Sequence, residues 1–216
     1  PFDEGEMYFR GEPTFQYDDQ DWEEYRRNKI GFVFQDYSLI NHYTALDNIL
    51  AALVIQGKDP ESSKEEAMAY LAQVGLTEQA AQRASQLSSG QKQRLAIARA
   101  VAVSAPIILA DEPTGNLDHQ SSLEILRLLR DVAKDSLVIM VTHDFAEAQE
   151  FVSRKVTLRN GQVMDDVRLQ ETNGSDAQNG DKKQCHKTMD PGKSGLQRKA
   201  DRKDILYFAW KNILGH

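Results

Sequence analysis

Two short, uninterrupted apolar runs lie near the middle of the chain, at residues 107–110 and 137–141. Runs this short, without polar alternation, are typical of strands buried on both faces of a parallel sheet. A third run, at 30–34, predicts another strand. A stripe of apolar residues at helical spacing separates the first two runs: Leu123, Leu126, Leu129 and Val132. Strand, helix and strand in this order predict a parallel crossover unit.

Helical patterns occupy much of the chain before residue 87. Residues 18–27 are polar and predict a partly helical segment that follows short strands near the N-terminus. The leucine- and isoleucine-rich stretch 37–55 predicts a helix. A further helix is expected to start at an S-x-x-E capping box, Ser62 and Glu65, and to stop at Gly75.

The chain changes character near residue 169. Residues 156–163 predict a hairpin around an Asn-Gly turn, which closes a folded unit that we assign to 1–169. Residues 170–200 are polar, with few large apolar groups, and predict a disordered linker. The last segment, 201–216, is amphipathic at helical spacing and too short to span a membrane.

Composition narrows the class of protein. The chain has 216 residues, 40% hydrophobic and 27% charged, which suits one domain with a satellite subdomain. A net charge of −7 and a pI near 5.3 argue against a nucleic-acid-binding surface. The single cysteine, Cys185, excludes an internal disulfide and predicts a reducing compartment. No long apolar run and no leader pattern are present, so we expect a soluble chain.

A phosphate-directed turn is predicted at the start of one helix. Ser88 and Gln91 have the spacing of an S-x-x-Q capping box, with Ser88 as N-cap of a helix reaching about Val103. Such a helix end offers unpaired N–H groups and the positive end of the macrodipole, which suit a phosphate. Gly90 leaves the backbone bare for close approach.

Acidic residues follow the apolar run at 107–110. Ligands of open α/β sheets bind at the carboxyl ends of strands, where Asp111 and Glu112 are expected. Adjacent residues of a strand point to opposite sides, so one acid can hold a metal while the other acts on a nucleophile. His143 follows the next strand and is expected at the same sheet edge.

Together these stretches resemble the ATP-binding cassette (ABC) ATPases. LSSGQ at 87–91 looks like their signature motif, IILADE at 107–112 like Walker B, and GNLD at 115–118 like the D-loop. The resemblance covers roughly residues 5–169. It implies an α/β fold, a P-loop NTPase (RecA-like) core with a parallel sheet plus an α-helical subdomain at about 36–95. It also implies ATP and Mg²⁺ as ligands.

The resemblance implies a role for each matching residue. Glu112 would be the general base and His143 the switch histidine that contacts the γ-phosphate. Asp111 would hold Mg²⁺, and Gln35 would complete the metal and water shell. The signature residues would face the ATP of a second domain in a head-to-tail dimer, and Asp118 would communicate across that interface: Ser88, Ser89, Gly90 and Gln91.

The chain departs from the family pattern at one position and lacks one motif. The family usually has glycine at Ser89, whose hydroxyl adds a donor, so function is expected to be retained. The family's G-x-x-x-x-G-K-[ST] phosphate loop lies upstream of the segment matching GEMYFRG, so we expect the N-terminal part of the domain to be missing. Gly192-Lys193-Ser194 imitates the end of that loop, but Lys187 replaces its first glycine. This chain alone is therefore expected to bind ATP weakly and not to turn it over.

The amino-acid sequences of two stretches favour one subclass of the ABC ATPases. EPTGNLD and IGFVFQDYSLINHYTALDNI look most like ATPases of macrolide export, lipoprotein release and antimicrobial-peptide export. Such an ATPase would lie at the cytoplasmic face of the cell membrane and drive a partner or fused permease. The tail 201–216 resembles the interfacial helix that begins a fused permease. The alternatives are a soluble, non-transport ABC ATPase and a non-catalytic fragment.

Overall fold

The computed structural model describes residues 8–9, 12–159, 162–169 and 205–210. The strands in this part of the chain are β1 (Tyr8–Phe9), β2 (Glu12–Pro13), β3 (Ile30–Val33), β4 (Ile107–Asp111), β5 (Leu137–Val141), β6 (Arg154–Arg159), β7 (Gln162–Arg168) and β8 (Ile205–Trp210). The helices are α1 (Asp19–Lys29), α2 (Ala45–Ile55), α3 (Lys64–Gln73), α4 (Ser89–Ala102), α5 (His119–Val132) and α6 (Phe145–Ala148).

A mixed sheet forms the centre of the molecule, in the order β3-β4-β5-β8-β6-β7. Every pairing in it is parallel except that of β6 with β7. The register aligns Val33 with Ala110, and Asp111 with Val141. The carboxyl ends of β3, β4 and β5 therefore meet at one edge, and the predicted α/β class with a parallel sheet is confirmed.

The core on one face of this sheet is filled by alternate strand residues and by two helices. Val33, Ile108 and Val138 are fully buried there against α4 and α5. The residues between them, such as Leu109 and Ile139, are only half-buried. The expectation of full burial on both faces is therefore wrong for the second face, because the core helices α4 and α5 pack on the first.

A second core joins α2, α3 and the opposite side of α4. Ile49, Leu53, Leu71 and Leu95 are fully buried in it. Helix α4 thus contributes to both cores, since Ile97 packs towards the sheet whereas Leu95 packs towards α2 and α3. This helical cluster corresponds to the predicted subdomain.

Two predicted helix starts are wrong. Helix α2 begins at Ala45 rather than near Tyr37, because Thr44 and Asp47 form a capping box that fixes its start. Helix α3 begins at Lys64 with Ser63 at its N-cap. The proposed Ser62 cap fails because the Ser62 amide already donates to Asp59 Oδ2 at 2.9 Å in the preceding turn.

The tail also differs from the helical expectation. Ile205–Trp210 form β8, which pairs in parallel with β5 on one side and β6 on the other. A short apolar run is compatible with either period, and pairing on both edges decides for a strand. The linker predicted at 170–200 and the Asn160-Gly161 turn lie outside the described residues. In the described part of the chain, no helix combines the length and apolarity needed to cross a bilayer.

Gly31 marks the closest approach of β3 to α4. A Cβ there would lie 2.7 Å from the Ala100 carbonyl oxygen and 2.7 Å from Ile108 Cδ1. Gly31→Ala is therefore expected to lower the free energy of unfolding by about 1–3 kcal/mol, measured by urea denaturation. Ile108→Val removes that Cδ1 and should cost about 0.5–1.5 kcal/mol alone. The double variant should lose less than the sum, and strictly additive losses would contradict overlap with Ile108 Cδ1 as part of the cause.

Candidate functional site

Glu112 and His143 are in direct contact at the carboxyl edge of the sheet. Glu112 follows β4 and His143 follows β5 by two residues. The Glu112 Oε1 atom accepts from the His143 backbone N–H at 3.1 Å and lies 2.8 Å from His143 Nδ1. Two contacts from one residue fix the carboxylate and leave His143 Nε2 as the free ring nitrogen.

The backbone of Glu112 is strained. Its φ is 46°, in the left-handed region that a non-glycine residue rarely adopts. Its N–H donates to the Val141 carbonyl at 2.8 Å, which continues the β4–β5 pairing past the end of β4. Strain of this kind is characteristic of functional positions held by their surroundings.

The second carboxylate oxygen of Glu112, Oε2, takes no part in these contacts. Among the described residues, Glu112 Oε2 is buried and has no hydrogen-bond partner. Burying an unpaired carboxylate oxygen is costly, so a donor such as a water molecule is expected there. The orphaned atom fits a role in which Glu112 accepts a proton or a hydrogen bond from a ligand water.

Gln35 approaches the same edge from β3. Its Nε2 atom would lie 3.2 Å from a Cβ on Gly115, and its carbonyl accepts from Asn116 Nδ2 at 3.0 Å. The Gly115 N–H donates to the Glu112 carbonyl at 3.1 Å. Residues 112–116 thus form a turn that touches Gln35 on one side and carries Glu112 on the other.

Asp111 ends β4 with an exposed side chain, beside the Glu112 turn. No group of three or more His, Cys, Asp or Glu side chains in the described ranges is arranged to hold a metal. This donor set fits Mg²⁺ in its usual nucleotide-bound form, in which one or two protein ligands act together with water and phosphate oxygens.

The environment of His143 favours its protonated form. The hydrogen bond to Glu112 and the charge of that carboxylate raise the pKa of the His143 imidazole above its ordinary value of 6.5. Burial and the nearby Asp144 have smaller effects in opposite directions. An imidazolium at this edge is suited to an anionic ligand.

The signature turn has the predicted capping box. Ser88 is the N-cap of α4, its Oγ accepts from the Gln91 N–H at 3.3 Å, and Gln91 Oε1 accepts from the Ser88 N–H at 2.9 Å. Ser88 and Ser89 are exposed. The first turn of α4 therefore presents its end to solvent.

Asp118 lies beside that turn. It caps α5 by accepting from the Ser121 N–H at 3.0 Å and from Ser121 Oγ at 2.6 Å. These hydrogen bonds lower the pKa of the Asp118 carboxyl. Ser121 Oγ also lies 3.3 Å from where a Gly90 Cβ would be, so the signature turn and the D-loop end are neighbours.

The structure thus brings the sequence-predicted residues into two adjoining groups. Glu112, His143 and Gln35 belong to the strand edge, and Ser88–Gln91 and Asp118 belong to the helix ends. Sequence analysis did not single out Asn116, which donates to the Gln35 carbonyl, or Ser121, which bonds Asp118 and lies beside Gly90. Asn116 lies within the GNLD stretch already identified, so that motif was its available signal.

A pocket of about 340 Å³ opens beside Glu112 and His143. Thr114 and Ser122 contribute to its wall. A second histidine–carboxylate contact lines it, since His119 Nδ1 lies 2.9 Å from Glu147 Oε1. The sequence patterns described above did not predict this second histidine–carboxylate pair.

The His143 pKa can be measured directly on this chain. We expect an NMR titration of the imidazole to give a pKa above 6.5, and Glu112→Gln to move it back towards that value. The matched control, Glu147→Gln, leaves the Glu112 contact intact and should not change it. Because the folded pKa is raised, the contact adds stability below the unfolded pKa, and this contribution disappears as pH rises through the folded value. A His143 pKa unaffected by Glu112→Gln would contradict this account.

Comparison with known proteins places the chain in a family. A family model described as "ABC transporter" matches residues 1–115. The macrolide export ATP-binding/permease protein MacB of Chlorobaculum tepidum is 36% identical over 170 residues, which are 78% of this chain and 26% of that protein. The lipoprotein-releasing system ATP-binding protein LolD of Nitrobacter winogradskyi is 38% identical over 165 residues, which are 76% of this chain and 71% of that protein.

Solved structures agree with these relatives. The dimeric ATP-binding cassette MJ0796 in a post-hydrolysis state with ADP and Pi is similar with a TM-score of 0.68 and 38% identity. The similarity covers 78% of this chain and 75% of that chain. The chain spans about a quarter of the length of MacB and about seven tenths of that of LolD. By its motifs, its fold and these relatives, the chain belongs to the ABC transporter family of ATP-binding proteins.

Proposed function

We propose that this chain is the ATP-binding and ATP-hydrolysing part of a transporter that exports a substrate or extracts it from the membrane. The observation that carries the proposal is the Glu112–His143 contact at the strand edge, with a strained Glu112 backbone and a buried, unpaired Oε2. The relatives named as macrolide export and lipoprotein-releasing proteins support the export subclass.

In this proposal each edge residue has one task in hydrolysis. Glu112 Oε2 accepts a hydrogen bond from the attacking water and orients it, while Oε1 stays bound to His143. His143 presents Nε2 to the γ-phosphate as negative charge develops. Asp111 and Gln35 would hold Mg²⁺, which would supply charge neutralisation for the phosphates when bound with ATP.

The signature turn serves a second ATPase domain. The exposed Ser88 and Ser89 at the start of α4 face the ATP of that domain in a head-to-tail dimer, and Gly90 permits close approach. Asp118, beside Gly90 through Ser121, relays contacts across the interface. The dimeric state named for the similar cassette MJ0796 supports this arrangement.

Phosphate binding also needs a phosphate loop with the sequence G-x-x-x-x-G-K-[ST]. Residues 1–216 contain no such sequence. We therefore propose that this chain alone binds ATP weakly, and that turnover belongs to a protein in which these residues act with such a loop.

A groove between α1 and α2 is the proposed contact with the permease. It has a volume of about 500 Å³ and, together with β3, α4 and the loop after β3, these two helices form its walls. We call it the α1–α2 groove. Ile55, Ile40 and Phe34 line it with exposed apolar surface. Arg26 and Arg27 add positive charge at its side. This combination suits a short amphipathic segment of a permease at the cytoplasmic face of the cell membrane.

Glu112→Gln tests the catalytic assignment. In the complete transporter, we expect kcat for ATP hydrolysis to fall by at least about 10²-fold, because the amide cannot accept a proton from the water. ATP binding, followed by equilibrium titration, should persist because the substitution keeps the size and the backbone contacts of the residue. Glu147→Gln is the matched control. Near-normal turnover by the Glu112 variant would remove this residue from the role of general base.

Ile55→Asp tests the groove. Ile55 is 65% exposed and lines the groove, whereas its neighbour Val54 is 45% exposed and does not line it. A buried carboxylate at the contact should weaken co-purification of the permease by about tenfold or more without changing ATP binding. Val54→Asp serves as the control for added charge on α2. Equal effects of the two variants would argue against the groove, and full retention by both would favour a non-transport ATPase.

A further inference from the structure

The turn that follows β3 has an unfavourable backbone conformation. Tyr37 and Ser38 are consecutive left-handed residues, with φ angles of 65° and 45°. Residues other than glycine are disfavoured there because the Cβ crowds the following carbonyl oxygen. Such a turn persists only where surrounding groups hold it in place.

Arg99 of α4 supplies the contacts that hold this turn. Its Nη1 donates to the Ser38 carbonyl at 2.5 Å, and its Nη2 donates to the Tyr37 carbonyl at 3.1 Å. One planar guanidinium thus binds the backbone carbonyls of both strained residues. Burial lowers the pKa of Arg99, and the nearby charge of Asp36 opposes that shift. In the described part of the chain, Arg99 makes these contacts without an ion pair of its own.

The two ends of the turn connect different parts of the proposed machinery. At its start, the Gln35 carbonyl is held by Asn116, and the Gln35 side chain lies against Gly115 next to Glu112. At its other end, Arg99 holds the Tyr37 and Ser38 carbonyls and also lines the α1–α2 groove. The same guanidinium therefore contacts the turn that begins at Gln35 and the wall of the groove.

We propose that Arg99 is a positioning residue that keeps Gln35 in place by clamping the 35–38 turn. The role of Gln35 in this proposal rests on the proposed function. The clamp itself is independent of that function and can be tested on the chain alone.

Amide hydrogen exchange tests the clamp. The Tyr37 N–H donates to the Phe34 carbonyl within the turn, whereas the Ile40 N–H is held separately by Asn48 Oδ1. Arg99→Gln should speed exchange at Tyr37 by about tenfold or more, as expected for the loss of a hydrogen bond from a charged donor. Exchange at Ile40 should change by less than about threefold, since its partner remains. Arg94→Gln, which removes another half-buried arginine from α4, is the matched control and should leave Tyr37 unchanged.

A second substitution separates clamping from general stability. Ser38→Gly removes the Cβ that disfavours the left-handed conformation, so the turn needs less help from Arg99. It also removes the 2.8 Å hydrogen bond from Ser38 Oγ to Asp36 Oδ1, so the Ser38→Gly single variant is measured beside the double variant. In the Arg99→Gln background, Ser38→Gly should restore slow exchange at Tyr37. In the complete transporter, Arg99→Gln should lower kcat for ATP hydrolysis with little change in KM for ATP, and Ser38→Gly should recover most of that loss.

Each result of these experiments tests a different part of the proposal. Unchanged exchange at Tyr37 in Arg99→Gln, or equal acceleration at Tyr37 and Ile40, would overturn the clamp. Altered exchange without any change in kcat would overturn the positioning of Gln35 by the clamp. If Glu112→Gln retained turnover, the proposed function would fall while the exchange result still decided the clamp.

Discussion

The in-register parallel pairing of β3, β4 and β5 is the constraint on which the site depends. It brings Gln35, Glu112 and His143 together although long stretches of chain separate them. The pairing continues one step beyond β4, where the Glu112 N–H donates to Val141. At the same residue the backbone is left-handed and the carboxylate contacts His143. The geometry of the proposed catalytic pair is thus a direct extension of the sheet.

Helix α4 contacts the sheet, the other helices of the second core and the turn after β3. One side packs on the sheet through Ile97 and the other packs on α2 and α3 through Leu95. Its first turn presents Ser88 and Ser89 to solvent, while Arg99 near its end grips the turn after β3. One helix thus carries the signature turn, lines the α1–α2 groove and holds the turn that begins at Gln35.

Much of this arrangement could be predicted from the sequence. Uninterrupted apolar runs predicted β4 and β5, and the S-x-x-Q spacing predicted the cap at Ser88, because both depend on local chemistry. The placement of Glu112 and His143 at one edge followed from the rule for parallel crossovers. The family motifs then identified the same residues independently.

Most of the misses have a physical origin in contacts between distant segments. Nothing local reveals that Arg99 stabilises left-handed Tyr37 and Ser38, or that β8 pairs with β5 and β6. The Ser62 cap is a local exception, because Asp59, three residues earlier, accepts from its amide. His119 and Glu147 meet only because α5 and α6 converge beside the sheet edge. Periodicity describes which face of an element is buried, but it does not identify the partner that the face meets.

Above all, we propose that Glu112 and His143 act together on the attacking water and the γ-phosphate. A double-mutant cycle on single-turnover ATP hydrolysis by the complete transporter measures this most directly, with Glu112→Gln, His143→Ala and the combined variant. Residues that act together give strongly non-additive losses. We predict that the double variant is about as slow as the slower single variant. Losses that multiply would mean that the two side chains act separately, which would contradict the account.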